Sequence, residues 1–314
     1  MSYTGGLPRS NAAISPLVVS AWFAYRRARR LRYTLLGRNP LVKGPSAPGL
    51  SAEWRSVRGL LESKAHPARQ IRSDQQFALW DTWLGELWAP ISAPPYFISM
   101  LAAEMAASVY DLSMLPAKGV GSTVIDAGAN IGVFARWALQ CGAQRVICFE
   151  PSPENAECLR RNLADAVGKG RAQVIQKGLW DSTKTLSFST VNRANPGAHH
   201  VSDDGDLTVP VTTLDEIYPE LSVERIDYIK MDVEGAEQRA LAGASRTIRR
   251  FLPQICVATE HTHDLLANAQ AVLRQIVALE AGYRYRVTEA HGYASRSRGD
   301  VLTPYTILFY TEGG

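Results

Sequence analysis

The chain has 314 residues, 46% of them apolar and 20% charged, with a formal net charge of +4. That composition is ordinary for a soluble globular protein of one large domain or two smaller ones. The positive charge is local: Arg26, Arg27, Arg29, Arg30 and Arg32 put five arginines into a seven-residue window, and the rest of the chain is close to balanced. The folded part therefore lacks the basic stripe of a nucleic-acid binder, and no nucleic-acid partner is expected.

The N-terminal apolar stretch, residues 12–25, is shorter than the roughly 20 residues a bilayer span needs. Its arginines follow the apolar part, whereas a secretory leader places charge before it. An apolar helix ending in arginines could contact an anionic membrane surface. The plainer reading is a helix whose cations offset its dipole, or a disordered arm. The four cysteines, Cys141, Cys148, Cys158 and Cys256, form no C-x-x-C pair. They read as buried free thiols and fit a reducing cytoplasm.

Residues 1–50 form an arginine-rich arm closing in the linker Gly44-Pro45-Ser46-Ala47-Pro48-Gly49. Residues 51–95 read as a helical extension, with Asp74 as N-cap of a helix carrying Phe77, Trp80, Trp83, Leu84 and Leu87. A third unit spans 96–314. It opens with a helix over 97–115 and then alternates strands (122–126, 145–149, 172–176, 226–231, 255–260) with helices (131–140, 153–166, 235–249, 264–281). This alternation predicts a doubly wound, mostly parallel Rossmann-like sheet with right-handed crossovers. Two last strands, 283–289 and 305–310, lack a helix between them and should pair antiparallel, giving seven strands that end in a hairpin. Methyltransferases of this fold usually end so; most dinucleotide dehydrogenases do not.

The first strand runs into Asp126-Ala127-Gly128-Ala129-Asn130-Ile131-Gly132. Small residues let this loop turn sharply and approach a ligand closely. A dinucleotide fingerprint would read G-x-G-x-x-G. Here Asn130 stands between Gly128 and Gly132, a poor phosphate cradle that suits a phosphate-free nucleoside such as S-adenosylmethionine. Asp126 could accept from a backbone or from the ligand's ammonium group. Glu150, 24 residues further on, closes the second strand ahead of Pro151 and Ser152 and could accept both hydroxyls of a ribose. Gly178, Leu179 and Trp180 follow the third strand, where an apolar and aromatic wall suits a purine.

The fourth strand ends Lys230-Met231-Asp232-Val233-Glu234-Gly235-Ala236-Glu237. Lys230 and Asp232 share one face, because side chains alternate along a strand. Two charges on a strand that should be central and apolar mark the rim where open α/β sheets bind ligands. Glu260 and His261 end the fifth strand at the same rim. Lys230, Asp232, Glu260 and His261 are thus the candidate catalytic groups. Asp232 could orient a hydroxyl, take its proton, or share a divalent cation with Glu260 or His261. Beyond Asp232, Glu234 and Glu237 no dense carboxylate set is evident, so metal-independent chemistry is expected. Ala93-Pro94-Pro95-Tyr96 imitates the loop of amine-methylating enzymes, but Ala93 cannot accept from an amine. A structural Pro-Pro turn is expected there.

Taken together, Asp126-x-Gly128-x-Asn130-x-Gly132, Phe149-Glu150-Pro151, Thr213-Leu214-Asp215 and Lys230-x-Asp232-x-Glu234-Gly235-x-Glu237 resemble the FkbM-type methyltransferases over residues 100–310. That resemblance implies class I methyltransferase architecture, an S-adenosylmethionine cofactor held by the Gly128 loop and Glu150, and Asp232 between cofactor and substrate. It also implies O-methylation of a small-molecule hydroxyl on a sugar, macrolide or other natural product. Two competing readings are a nicotinamide oxidoreductase and a non-catalytic membrane-surface scaffold. The missing middle glycine and terminal hairpin oppose the first, and the intact rim residues oppose the second.

Overall fold

The structure is a computed structural model that describes residues 68–113, 115, 121–189, 200–201, 205, 207–259, 261, 264–295 and 299–311. The arginine cluster, the 44–49 linker, residues 51–67 and Glu260 lie outside the described residues.

The described chain opens with an antiparallel meander, β1 (Arg69–Ser73), β2 (Phe77–Asp81) and β3 (Leu87–Pro90). This corrects the helix expected from Asp74 onward. Phe77, Ala78, Leu79 and Trp80 are all buried. Four consecutive buried residues suit a strand covered on both faces and not one stripe of a surface helix. Asp74 does make the bonds expected of a cap, accepting from the N–H groups of Gln76 at 2.8 Å and Phe77 at 2.7 Å. That side-chain-to-backbone pattern serves a turn as well as a helix start, and here it closes the β1–β2 hairpin.

The Pro-Pro pair is structural, as expected: Pro94 is the N-cap and Pro95 the first residue of α1 (Pro95–Ala106). Proline fits there because its missing N–H would have no intrahelical partner. This helix stops nine residues short of the expected end, and Ser108 follows in a left-handed conformation at φ 51°.

The α/β part then runs β4 (Thr123–Ala127), α2 (Val133–Cys141), β5 (Arg145–Phe149), α3 (Pro153–Asn162), α4 (Ala164–Gly168) and β6 (Ala172–Ile175). The sequence did not suggest what comes next, a small sheet of β7 (Gly178–Leu179), β8 (Lys184–Ser189), β9 (His200–Val201) and β10 (Leu207–Thr212). After it come α5 (Leu214–Ile217), β11 (Tyr228–Met231), α6 (Glu237–Ala242), α7 (Ser245–Phe251), β12 (Gln254–Ala258), α8 (Leu265–Leu279), β13 (Arg284–Ser295) and β14 (Gly299–Tyr310). The single helix expected over 235–249 is two, parted at Gly243, where a Cβ would come within 1.9 Å of the Trp180 carbonyl oxygen.

The main sheet has the order β13-β14-β12-β11-β4-β5-β6. Strands β6, β5, β4, β11 and β12 are parallel, and β14 runs antiparallel between β12 and β13, as the sequence predicts. Successive residues enter opposite layers of the core. Val124, Val146 and Cys256 join Phe134 and Leu159 on one side, while Ile125, Ile147, Ile229 and Val257 join Leu241, Ile248 and Val272 on the other. Each such burial contributes about 1.5–3 kcal/mol. Cys148, Cys158 and Cys256 are buried free thiols as expected, but Cys141 is exposed.

The meander is fastened to the back of this layer by several side chains of α2 and α3, Asn162 foremost. Asn162, the last residue of α3, accepts from the Trp88 N–H at 2.6 Å and donates to the Trp88 carbonyl at 2.8 Å and the Ile131 carbonyl at 2.7 Å. The Arg161 guanidinium lies over the Phe77 and Trp88 rings, at 4.3 and 5.0 Å from their centroids. Trp83 meets Trp137 of α2 edge-on at 5.5 Å.

Candidate functional site

Strand order reverses between β4 and β11, so the loops after them diverge and leave a crevice at their carboxyl ends. A cavity of about 320 Å³ lies there. On the β4 side its wall holds Gly128, Ala129, Asn130, Glu150, Pro151, Gly178, Leu179 and Trp180. On the β11 side it holds Lys230, Asp232 and His261. Three of the residues expected to bind cofactor do not line the cavity. Asp126 is fully buried beneath it, Gly132 packs against Leu159 as the N-cap of α2, and Ser152 caps α3.

The β4 side is a cradle of backbone. The N–H groups of Gly128 and Ala129 both donate to the Phe149 carbonyl at 3.0 Å, which pins the loop to β5. A Cβ on Gly128 would sit 1.9 Å from the Asp232 carbonyl oxygen, so only glycine permits the two loops to pass. Asn130 takes the left-handed conformation at φ 50°, which asparagine tolerates better than most residues. Its N–H donates to Glu150 Oε2 at 2.8 Å, and the Ser152 N–H donates to Glu150 Oε1 at 2.9 Å. Each carboxylate oxygen keeps a further acceptor position. Burial pushes the Glu150 carboxyl up to about 7, against these two hydrogen bonds. Nearby, the buried Trp180 Nε1 has no hydrogen-bond acceptor.

The β11 side is a charge network. Lys230 is nearly fully buried. Its ammonium sits 3.2 Å from Asp126 Oδ1 and 3.8 Å from Asp232 Oδ2, and donates to the Gly128 carbonyl at 2.6 Å. Burial disfavours its charge, but the two carboxylates outweigh that and raise it above the ordinary lysine value. Lys230 thus ties the strand ends together from below. Asp232 accepts from the Tyr110 hydroxyl at 2.5 Å, and its other oxygen lies 3.4 Å from His261 Nε2. Burial would raise the Asp232 carboxyl, yet Lys230, His261 and the Tyr110 hydrogen bond hold it below the usual range. His261 is raised well above the ordinary histidine value: burial opposes its charge, and Glu237, Glu234 and Asp232 overcome it.

Tyr110 escaped sequence reasoning because it stands 122 residues from Asp232 in a loop with no motif. Glu104 and Tyr305, which meet at 2.7 Å in the same wall, carried no local signal either.

A mostly parallel seven-stranded sheet with helices and an antiparallel β14 inserted beside β13 is the class I methyltransferase architecture. A model described as the methyltransferase FkbM domain matches residues 126–285, and the chain belongs to that family of methyltransferases. Among its relatives is the 2-O-methyltransferase NoeI of Sinorhizobium fredii, 28% identical over 59% of this chain and 80% of its own length. The hexuronic acid methyltransferase AglP of Haloferax volcanii is 31% identical over 40% of this chain and 50% of its own length. A solved structure of methyltransferase FkbM from Methylobacillus flagellatus aligns over 82% of this chain and 61% of its own, at 17% identity and a TM-score of 0.46. The oxidoreductase and scaffold readings gain nothing from these matches. Among the described residues no helix is long and apolar enough to cross a membrane.

Proposed function

We propose that the chain is an S-adenosylmethionine-dependent O-methyltransferase acting on a hydroxyl of a sugar or comparable natural product. The observation that carries this reading is the meeting of two unlike parts at one switch point. A backbone cradle around Gly128 with a buried acid, Glu150, faces the Asp232 carboxylate across the cavity. The relatives' named substrates, a 2-O position and a hexuronic acid, support an oxygen acceptor on a sugar.

The residues present fit this cofactor. Gly128 permits close backbone approach, and Glu150 keeps acceptor capacity for the two ribose hydroxyls. When bound, S-adenosylmethionine supplies a methyl carbon made electrophilic by its sulfonium. The protein's share is alignment of the incoming hydroxyl, which can lower a barrier by about 7–11 kcal/mol. Asp232 is positioned by Tyr110 and Lys230 to accept a hydrogen bond from that hydroxyl and to draw its proton as the oxygen attacks. Proton removal by such a group adds roughly 10²–10⁴-fold. Tyr305 and Glu104 stand in the same wall and offer further polar contacts to an acceptor.

The test is incubation of the purified chain with methyl-labelled S-adenosylmethionine and a panel of glycosides and uronic acids. A methyl ether on a sugar oxygen is expected. Label appearing only on a nitrogen or carbon of an acceptor would overturn the O-methylation reading.

A further inference from the structure

His261 Nε2 lies 3.4 Å from Asp232 Oδ1 and 3.6 Å from Glu234 Oε2, and a ligand atom of each residue lies within 4.8 Å of the others. These spacings are long for hydrogen bonds, whose N···O distances run about 2.7–3.2 Å. Two atoms bound to one ion at about 2.0–2.2 Å can stand up to about 4.4 Å apart, so both distances are short enough for a shared ion. The other ring nitrogen, Nδ1, lies 3.2 Å from Glu237 Oε1, which also accepts from the Gly235 N–H at 3.1 Å. A carboxylate anchored in this way holds Nδ1 as the donor, and a cation that displaces the Nε2 proton would meet that nitrogen facing the two carboxylates. Metal-binding histidines are oriented by such outer carboxylates. Glu237 is fully buried, and its Oε2 has no hydrogen-bond partner. Asp232, Glu234 and Glu237 thus bring three carboxylates to one imidazole, while Lys230, held closest by the Gly128 carbonyl and Asp126, stands 3.8 Å from the other Asp232 oxygen. The Asp232 and Glu234 side chains keep 25% and 28% of their exposure and stand in the cavity wall, so a shared ion would be open to the cavity.

We propose that Asp232, Glu234 and His261 hold a divalent cation that binds the acceptor's hydroxyl oxygen. This replaces the metal independence expected from sequence and rests on the methyltransferase reading for the ion's use. One nitrogen and two carboxylates suit Mn²⁺ or a similar borderline first-row ion. Three protein ligands on one face leave positions for two oxygens of the acceptor. The acceptor class is therefore one that chelates, a vicinal diol or a hydroxyl beside a carboxylate.

The test uses chelator-treated full-length protein, titrated with Mn²⁺ alone and followed by electron paramagnetic resonance. S-adenosylhomocysteine binding is measured by calorimetry on the same preparations. One Mn²⁺ per chain is expected, with affinity at least tenfold weaker in both Glu234→Gln and His261→Ala, while S-adenosylhomocysteine still binds. Glu234→Gln is isosteric and partly exposed, so it decides the matter if His261→Ala does not fold. Failure of Mn²⁺ to bind stoichiometrically to a protein that binds S-adenosylhomocysteine would overturn the metal site alone. Binding unchanged in Glu234→Gln would place the ion elsewhere and overturn it equally. Mn²⁺ binding that responds to the variants, without S-adenosylhomocysteine binding, would support the site and overturn the methyltransferase reading instead.

Discussion

Two carboxylates face the same cavity from opposite sides of the switch point, and their surroundings drive them apart. Glu150, on the β5 side, is pushed up to about 7 because burial outweighs two backbone hydrogen bonds. Asp232, on the β11 side, is held below the ordinary range because Lys230, His261 and Tyr110 outweigh its burial. One acid is left short of donors until a ligand brings them, and the other is ionised in advance. Such separation of two acids by environment is how one fold assigns different tasks to the same chemical group. On the proposed function it would divide cofactor binding from chemistry on the acceptor.

The largest expected effect comes from removing the pre-ionised acid. Asp232→Asn should lower kcat by roughly 10²-fold or more, with S-adenosylhomocysteine affinity close to that of the unaltered chain. Steady-state kinetics with an established acceptor checks this, and near-normal turnover would remove Asp232 from the mechanism. Next comes Glu150→Ala, which removes charge-assisted hydrogen bonds of about 1.5–3 kcal/mol each and should weaken cofactor binding at least tenfold in a folded protein. An unchanged dissociation constant would make Glu150 a strand-end acid without a ribose partner.

A subtler outcome follows from the raised value of Glu150. On the proposed reading ribose hydroxyls donate to the carboxylate, so binding favours its ionised form. S-adenosylhomocysteine affinity should therefore fall as pH drops below about 7, approaching tenfold per pH unit, and the slope should vanish in Glu150→Gln. The same shift has a sign for stability. The folded value lies above the ordinary 4.5, so the free protein loses stability from this group as pH rises from 4.5 through about 7, and cofactor restores it. Calorimetry across pH 5.5–8 reads the slope; a flat profile in the unaltered chain would contradict it. The smallest effect on the site should come from Asn162→Ala. It leaves backbone groups of Trp88 and Ile131 unpaired and should cost about 1–3 kcal/mol of stability while cofactor affinity holds. Chemical denaturation and calorimetry together separate the two readouts.

The two sides also differ in how far the sequence revealed them. Gly128, Asn130 and Glu150 stand on consecutive strands with one helix between, so spacing alone suggested a nucleoside site and the structure brings them together. Lys230 and Asp232 were legible as charges where an apolar strand end was due. Tyr110 was not, because nothing near it signals a partner 122 residues away. The parallel order and terminal hairpin followed from alternating elements and the missing last crossover. The meander was misread because Phe77, Trp80, Leu84 and Leu87 satisfy helical spacing, while Ala78 and Leu79 complete a run that only a covered strand buries. For Asp126 the sequence leaves open whether it meets a backbone or the ligand, and its burial beside Lys230 makes it a support of the rim.

The most direct test of the whole account is calorimetric titration of the full chain with S-adenosylhomocysteine and, separately, with NADH. One S-adenosylhomocysteine site per chain and no appreciable NADH binding are expected, since the Asn130 loop offers no phosphate cradle. Tight NADH binding with no binding of the sulfur nucleoside would contradict it.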